Sequence, residues 1–372
     1  MRSGVAFCED GILGCRLSGG TMSLTLTGII KLVFGWLHIP EFLVQPTVMI
    51  VAAAIILGFI LLVVLYLVYG LRKVMGWIQA RIGPNRVGWE GLAQTIADAL
   101  KLLTKEDIIP KNADKWPFII APIIVFVPAY MVYLVIPFGK GNGWVVQDLN
   151  IGILYVVAVL AIPTIGIITA GWSSNNKWSL LGAFRAAAQI ISYDIPLVLA
   201  MVPAVMLAGT LSTQGIVNAQ QGTWFGIFPR WFIVSQGVGF IIYLLAALAE
   251  SNMTPFDIME AESELVAGFN TEYSGMKFAL FFLAEFASMF TVSAIAVTLF
   301  FGGWLPIHPS LSFIPPVIWF LGKAAVFIFV IMWIRSTLPR VRVDQLMSFG
   351  WKVLIPVALL NIAWTGLLVI LA

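Results

Sequence analysis

Charge is scarce in this sequence. Charged residues make up 10% of its 372 residues, against ~25% in an ordinary soluble protein. A soluble chain of this length needs a charged surface around its core. The shortage excludes that class, although the length alone would suit one to three soluble domains. Histidine and cysteine are scarcer still. His38 and His308 stand far apart, which argues against a His-ligated haem. Cys8 and Cys15 both lie near the start, with no His/Cys ligand set around them. An iron–sulfur cluster or structural zinc held by this chain alone is therefore not expected, and nothing supports a disulfide between the two. The net charge is only +3 and there is no polar domain with a basic stripe, so nucleic acid is not an expected partner. No dinucleotide fingerprint or phosphate loop occurs.

What is abundant is apolar. Hydrophobic residues make up 60% of the chain and the mean hydropathy is +0.98. Uncharged apolar runs of ~20 residues are membrane spans. Eight are expected, at 48–70, 117–138, 151–171, 187–209, 231–251, 275–301, 316–335 and 351–371. The weaker 24–44 run contains Lys31, His38, Pro40 and Glu41, and reads better as a surface helix or an extension of the first span. The first residues lack the order of a secretory signal, and Met22, which opens a more apolar stretch, is an alternative start. Pro122, Pro128, Pro163, Pro196 and Pro203 fall inside spans, as they do in helices buried among other helices. The fold class expected is all-α: a polytopic membrane protein of eight transmembrane helices plus an amphipathic helix. Residues 1–46 form an extension and 47–372 a single membrane domain.

The loops alternate in charge. Arg72, Lys73, Arg81, Arg86, Lys101, Lys105, Lys111 and Lys115 follow the first span, and further basic residues sit in 172–186, near 275 and in 336–350. The opposite loops offer only Lys140, Arg230 and His308. The positive-inside rule then makes 70–116, 172–186, 252–274 and 336–350 cytoplasmic and puts both termini outside. Within the first loop, Trp89, Leu92, Ile96, Leu100 and Leu103 recur at helical spacing, which predicts an amphipathic helix over 89–103. RIGPNRVG at 81–88 reads as a rigid cationic turn.

Charges within spans are costly unless paired or hydrated. Asp194 lies just inside the fourth span, Glu250 ends the fifth, Glu285 lies in the sixth and Lys323 in the seventh. An acid at a membrane edge could simply face headgroups, a reading that weighs evenly for Asp194 and Glu250 and less for Glu285. The densest feature is 250–272, with Glu250, Asp257, Glu260, Glu262, Glu264 and Glu272 and no lysine or arginine between 231 and 276. Such a cluster could carry protons, bind a cation or dock a basic partner. Its interleaved Pro255, Phe256, Ile258 and Phe269 suggest a loop folded back into a polar cavity.

From about residue 48 to 371 the chain resembles a known family. The motifs are RIGPNRVG at 81, ADALKLLTKEDI at 97, GWSSNNKWSLLGAFRAAAQIISYD at 171, TPFDIMEAESELVAGFNTEYSG at 254 and RVRVDQL at 340, in the family's order. The family is the quinone-entry membrane subunit of the proton-pumping NADH:quinone oxidoreductase, respiratory complex I. The resemblance implies quinone as substrate, with flavin and iron–sulfur clusters on partner subunits. It implies contact with the peripheral quinone-site and terminal-cluster subunits and with small membrane-arm neighbours, in the cell inner membrane. Carried over by position, Arg72, Arg81, Arg86, Asp98, Lys101 and Phe256 line or border the quinone site. Glu250, Asp257, Glu260, Glu262, Glu264, Glu272, Asp194 and Glu285 form the proton-coupling acids. The chain departs from the pattern at Leu71, Met253, Met259, Phe269, Asn270, Ala161 and the shorter acid Asp194. Met253 stands where the family carries an arginine, which removes an expected partner from Asp257 and Glu260. A purely structural membrane scaffold would explain the spans but not Glu285 or the six-carboxylate loop, and two other readings compete. One is the same subunit in a ferredoxin-, F420- or hydrogenase-linked complex. The other is a stand-alone ion transporter, which would need an internal repeat that the sequence lacks.

Overall fold

The computed structural model describes residues 44–140, 145, 147–224, 228–259, 266–308, 311 and 313–371. The 24–44 run and the alternative start at Met22 lie outside this set, apart from the run's last residue. So do Glu260, Glu262 and Glu264. In a bilayer the backbone must satisfy its own hydrogen bonds, which leaves helices as the form for the apolar runs. Among the described residues the chain is all-α but for one short hairpin, Thr223–Trp224 (β1) against Phe228–Pro229 (β2).

The helices are α1 Val44–Ile78, α2 Gln94–Thr104, α3 Lys115–Met131, α4 Gly152–Ser173, α5 Lys177–Ala208 and α6 Thr213–Ala219. After the hairpin come α7 Phe232–Ser235, α8 Gly237–Glu250, α9 Gly275–Phe300, α10 Pro316–Thr337, α11 Val343–Phe349 and α12 Ile355–Leu371, the last two joined by a wide turn over Gly350–Leu354. Seven helices among the described residues are long and apolar enough to cross a membrane. The 231–251 run is the exception. It breaks at Gln236, and its 14-residue α8 spans about 21 Å where the hydrocarbon core is ~30 Å. The break is a buried polar knot: Gln236 Nε2 donates to Thr365 Oγ1 at 2.9 Å, and Asn361 Nδ2 donates to Gln236 Oε1 at 3.0 Å.

Helix ends also differ from the sequence expectation. α5 begins at Lys177, so much of 172–186 is helical, and helix resumes at Val343 within 336–350. α2 begins at Gln94 and not at Trp89, because Gly88, Glu90 and Gly91 take positive φ. Gly91 packs on the RIGPNRVG turn so closely that a Cβ there would sit 2.4 Å from the Pro84 carbonyl oxygen.

The bundle is built around α9. Of its most apolar window 72% is buried inside the protein, against 22% for the first span and 17% for the last. The outer helices therefore present their apolar faces to lipid. Two tyrosines pin α9: Tyr133 donates to the Ala287 carbonyl and Tyr243 to the Val292 carbonyl, each at 2.8 Å. All five expected span prolines lie inside helices α3, α4 and α5.

One end of the bundle gathers the connections that carry most charge. There Asn176 caps α5, accepting from the Trp178 N–H and donating to Glu272 Oε1 at 2.6 Å. Ser179 donates to the Phe269 carbonyl, and Tyr273 stacks on Phe118 with ring centres 4.1 Å apart. The segment before α9 is thus clasped by α3 and α5. Gly182 makes the clasp close: a Cβ on it would lie 2.7 Å from Gly268 Cα, which is backbone. Gly182→Ala should lower stability by roughly 1–3 kcal/mol through overpacking. Thermal denaturation of the purified protein checks this, with Gly322→Ala, where the added Cβ meets open space, as the control.

Candidate functional site

Three of the predicted acids converge on one cavity. Glu250 at the end of α8, Asp257 in the following turn and Glu285 on α9 all line it, together with Asn252, Asn270, Ser288 and Thr291. Its other walls are apolar side chains of α3, α4, α5 and α9, with Met259 and Phe269 from the segment before α9. Its volume is about 70 Å³, and one water needs ~10–15 Å³ on that measure. The space suits a short file of waters between carboxylates. Glu285 lies ten residues into α9, about 15 Å from the helix start.

Each acid has a different partner. Asp194 on α5 and Glu250 at the end of α8 lie carboxyl to carboxyl. Among the described residues, Glu250 Oε2 is buried without a hydrogen-bond partner. Asp194 also lines a groove between α4 and α5, formed with Val157, Leu160, Ala161 and Val198. The carboxyl pair therefore stands between the inner cavity and that groove. Asp257 pairs with Arg340 at 3.2 Å, and Glu285 with Arg335 at 3.9 Å. Arg335 also touches the Met253 sulfur.

These arginines correct an expectation. Met253 removes one arginine, yet Asp257 is not left without a cation, because the end of α10 and the loop after it bring Arg335 and Arg340 alongside. In the sequence both stand only as loop charges. Asn252, Asn270, Ser288 and Thr291 were not foreseen either, since such polar residues carry no pattern of their own.

Glu272 stands apart from the cavity, holding the Asn176 cap. Phe256 is buried, with its ring 5.6 Å from that of Tyr193. Lys323, the charge expected within the seventh span, sits at the opposite end of α9. Its Nζ donates to the carbonyls of Phe301, Gly303 and Leu305 at 2.7, 3.0 and 2.6 Å. That end of α9 carries the negative pole of the helix dipole, which accounts for the half-buried cation.

The predicted basic residues form a second group, at the α1–α2 corner. Arg72 is paired with Asp98, and Lys101 lies 3.8 Å from the same carboxylate. Arg81 donates to Gln79 Oε1 at 2.6 Å, and both Arg81 and Arg86 are exposed. On α2, Ile96, Leu100 and Leu103 are exposed, as is Trp89 before it. Beside this corner, Val74, Trp77 and Ile78 of α1 face Phe329 and Trp333 of α10 across an apolar groove. Lys277 pairs with Asp107 at 2.9 Å and ties the α2 side to the start of α9.

Partial burial of Asp98 opposes its charge. Hydrogen bonding and charge from Arg72, helped by Gln94 and Lys101, outweigh that and hold the carboxyl below its ordinary value. A depressed folded value adds stability above the unfolded pKa of ~3.9 that disappears as pH falls through the folded value. α2 should therefore loosen from α1 in acid, by at most about 1 kcal/mol for so exposed a pair. Hydrogen exchange over Gln94–Thr104, corrected for intrinsic rates, should show this. Asp98→Asn should lower protection at neutral pH and abolish the acid step.

The profile of a family described as NADH dehydrogenase matches residues 51–366. The chain is 53% identical over 320 residues to the H subunit of the NADH-quinone oxidoreductase of Brevibacillus brevis, covering 86% of this chain and 93% of that one. The corresponding protein of Anoxybacillus flavithermus is 52% identical over 319 residues, covering 84% and 92%. That of Dehalococcoides mccartyi is 50% identical over 337 residues, covering 91% and 88%.

Proposed function

The chain belongs to the NADH dehydrogenase family, and on that premise we propose that it acts as the quinone-entry membrane subunit of a proton-translocating NADH:quinone oxidoreductase. It is a part of an enzyme complex, with flavin and iron–sulfur clusters on its partners and quinone as the shared substrate. The observation that carries the coupling role is the cavity shared by Glu250, Asp257 and Glu285, with the Asp194–Glu250 carboxyl pair at its wall.

A quinone tail needs an apolar path with a few polar contacts for its headgroup. The groove between α1 and α10 supplies the former, and the basic corner of Arg72, Arg81 and Arg86, with Asp98 and Lys101, supplies the latter. Reduction of the headgroup draws protons and changes local charge. The acidic loop responds, with Glu260, Glu262, Glu264 and Glu272 adding to its negative charge and Phe256 shaping its base. Within the bundle, the Asp194–Glu250 pair passes protons between the water-sized cavity and the α4–α5 groove. Arg335 and Arg340 hold Glu285 and Asp257 in place at the entrance.

In this reading α7 and α8 together make an eighth crossing, within one membrane domain over 47–372. The charged end of the bundle faces the cytoplasm by the positive-inside rule, and both termini are periplasmic across the cell inner membrane. The exposed Trp89, Ile96, Leu100 and Leu103 make α2 an amphipathic helix at the membrane surface, ready to be covered by lipid or by the peripheral quinone-site and terminal-cluster subunits. Small membrane-arm subunits pack on the α4–α5 side.

Glu250→Gln and Glu285→Gln keep the volume and remove the titrating group. In assembled complex each should lower NADH-driven proton uptake roughly tenfold or more, read by a pH-sensitive dye in membrane vesicles. Assembled variants with unchanged quinone reduction and unchanged proton uptake would overturn the assignment.

A further inference from the structure

Gln189 on α5 is a polar side chain with 1% of its surface exposed, and it is not among the residues that line the acidic cavity. Its Nε2 donates to the Ala249 carbonyl at 2.9 Å and to Asn252 Oδ1 at 3.4 Å. A carbonyl only accepts, which fixes the orientation of the amide.

Those two contacts fall on one helix end. Asn252 has a φ of 52°, its N–H donates to the Ala249 carbonyl at 3.3 Å, and the Met253 N–H reaches back to the Leu248 carbonyl at 3.1 Å. This crossed pair of bonds closes α8 with a left-handed cap, a place usually held by glycine and sometimes by asparagine. The Ala249 carbonyl takes both the cap bond and the Gln189 bond, which occupies its two lone pairs. Glu250 lies between the two points that Gln189 holds. Asp194, which it meets, stands five residues beyond Gln189 on α5, about 7.5 Å along the axis.

Charge explains why the group is an amide. The end of α8 is the negative pole of its dipole, a poor place for an acid. A cation there would answer the carbonyls but would also pair with Glu250 and hold its charge. A neutral donor answers the carbonyl and leaves the carboxyl to Asp194. Asp257 and Glu285, by contrast, are set against arginines.

We infer that Gln189 is a positioning residue for proton coupling: by clamping Ala249 and Asn252 it sets the end of α8 so that Glu250 meets Asp194. The inference rests on the coupling role proposed for that pair.

Gln189→Met keeps the length of the side chain and removes the donor. In assembled complex it should lower proton uptake per NADH oxidised about three- to tenfold, the range that one hydrogen bond is worth. Made in the Glu250→Gln background it should lower uptake no further, because both changes act through one group. Gln220→Met is the control. Gln220 is equally buried and donates to the Thr298 carbonyl at the other end of α9, so its loss should leave uptake unchanged. Hydrogen exchange over 248–253 reads the clamp itself, and should quicken in Gln189→Met and not in Gln220→Met. Asn252→Gly keeps the positive φ and removes one acceptor of the amide. It serves where Gln189→Met does not assemble, and should show the same two effects at smaller size. Unchanged exchange, losses that multiply in the double variant, or an equal loss in Gln220→Met overturns the inference. Quickened exchange together with full uptake in Glu250→Gln leaves the clamp standing and sinks the coupling reading instead.

Discussion

A polar group inside a bilayer has no water to fall back on, and the arrangement around α9 follows from that constraint. The helix is the most enclosed in the bundle, so every side-chain charge and hydroxyl reaching it must be answered by protein. Two tyrosines lend their hydroxyls to its carbonyls at Ala287 and Val292. Thr291 meets the Tyr133 oxygen at 2.8 Å. The one titratable group on its inner stretch, Glu285, is set against Arg335. At its far end the carbonyls of Phe301 and Leu305 are answered by Lys323. Partner choice at each point is a matter of which neighbouring helix can reach.

The same constraint explains why the acids are useful as well as tolerated. Paired ions in a low-dielectric setting are stable only with good geometry and further hydrogen bonds. Asp257 has Arg340 close by, but Glu285 is at the limit of ion-pair distance and Glu250 keeps one oxygen without a protein partner. Asp194 and Glu250 meet each other. Under the proposed function, a set of acids so unevenly placed against cations is where a nearby change of charge would be felt.

Much of this was legible in the sequence. Apolar runs reveal themselves because a membrane helix must be apolar along ~20 residues, and seven of the eight runs became helices of that length. The run at 231–251 shows where the signal misleads. Hydropathy cannot register that Gln236 is drawn out of the helix by Asn361 and Thr365, residues over a hundred positions away. The start of α2 was hidden for a related reason. The spacing of Trp89 with Ile96 and Leu100 is helical, but positive φ at Gly88, Glu90 and Gly91 is set by packing on Pro84. Of the site, the acids stood out because carboxylates are rare in such a chain. Their partners did not, since Arg335 and Arg340 read as ordinary loop charges until α10 is folded against α9. Lys323, an intramembrane charge that needs a partner, finds it in the carbonyls of a helix end, which carry no sequence signal.

Those partners also show how the acidic loop is balanced from outside itself. Here Met253 is buried, and its sulfur lies against Arg335, whose guanidinium also reaches Glu285. Arg340, five residues on, takes Asp257. The cations beside these acids come from the end of α10 and the loop after it. A charge balance of this kind is a property of the cavity and not of any one position, and α10, with Lys323 toward one end and Arg335 at the other, is the helix that supplies much of it.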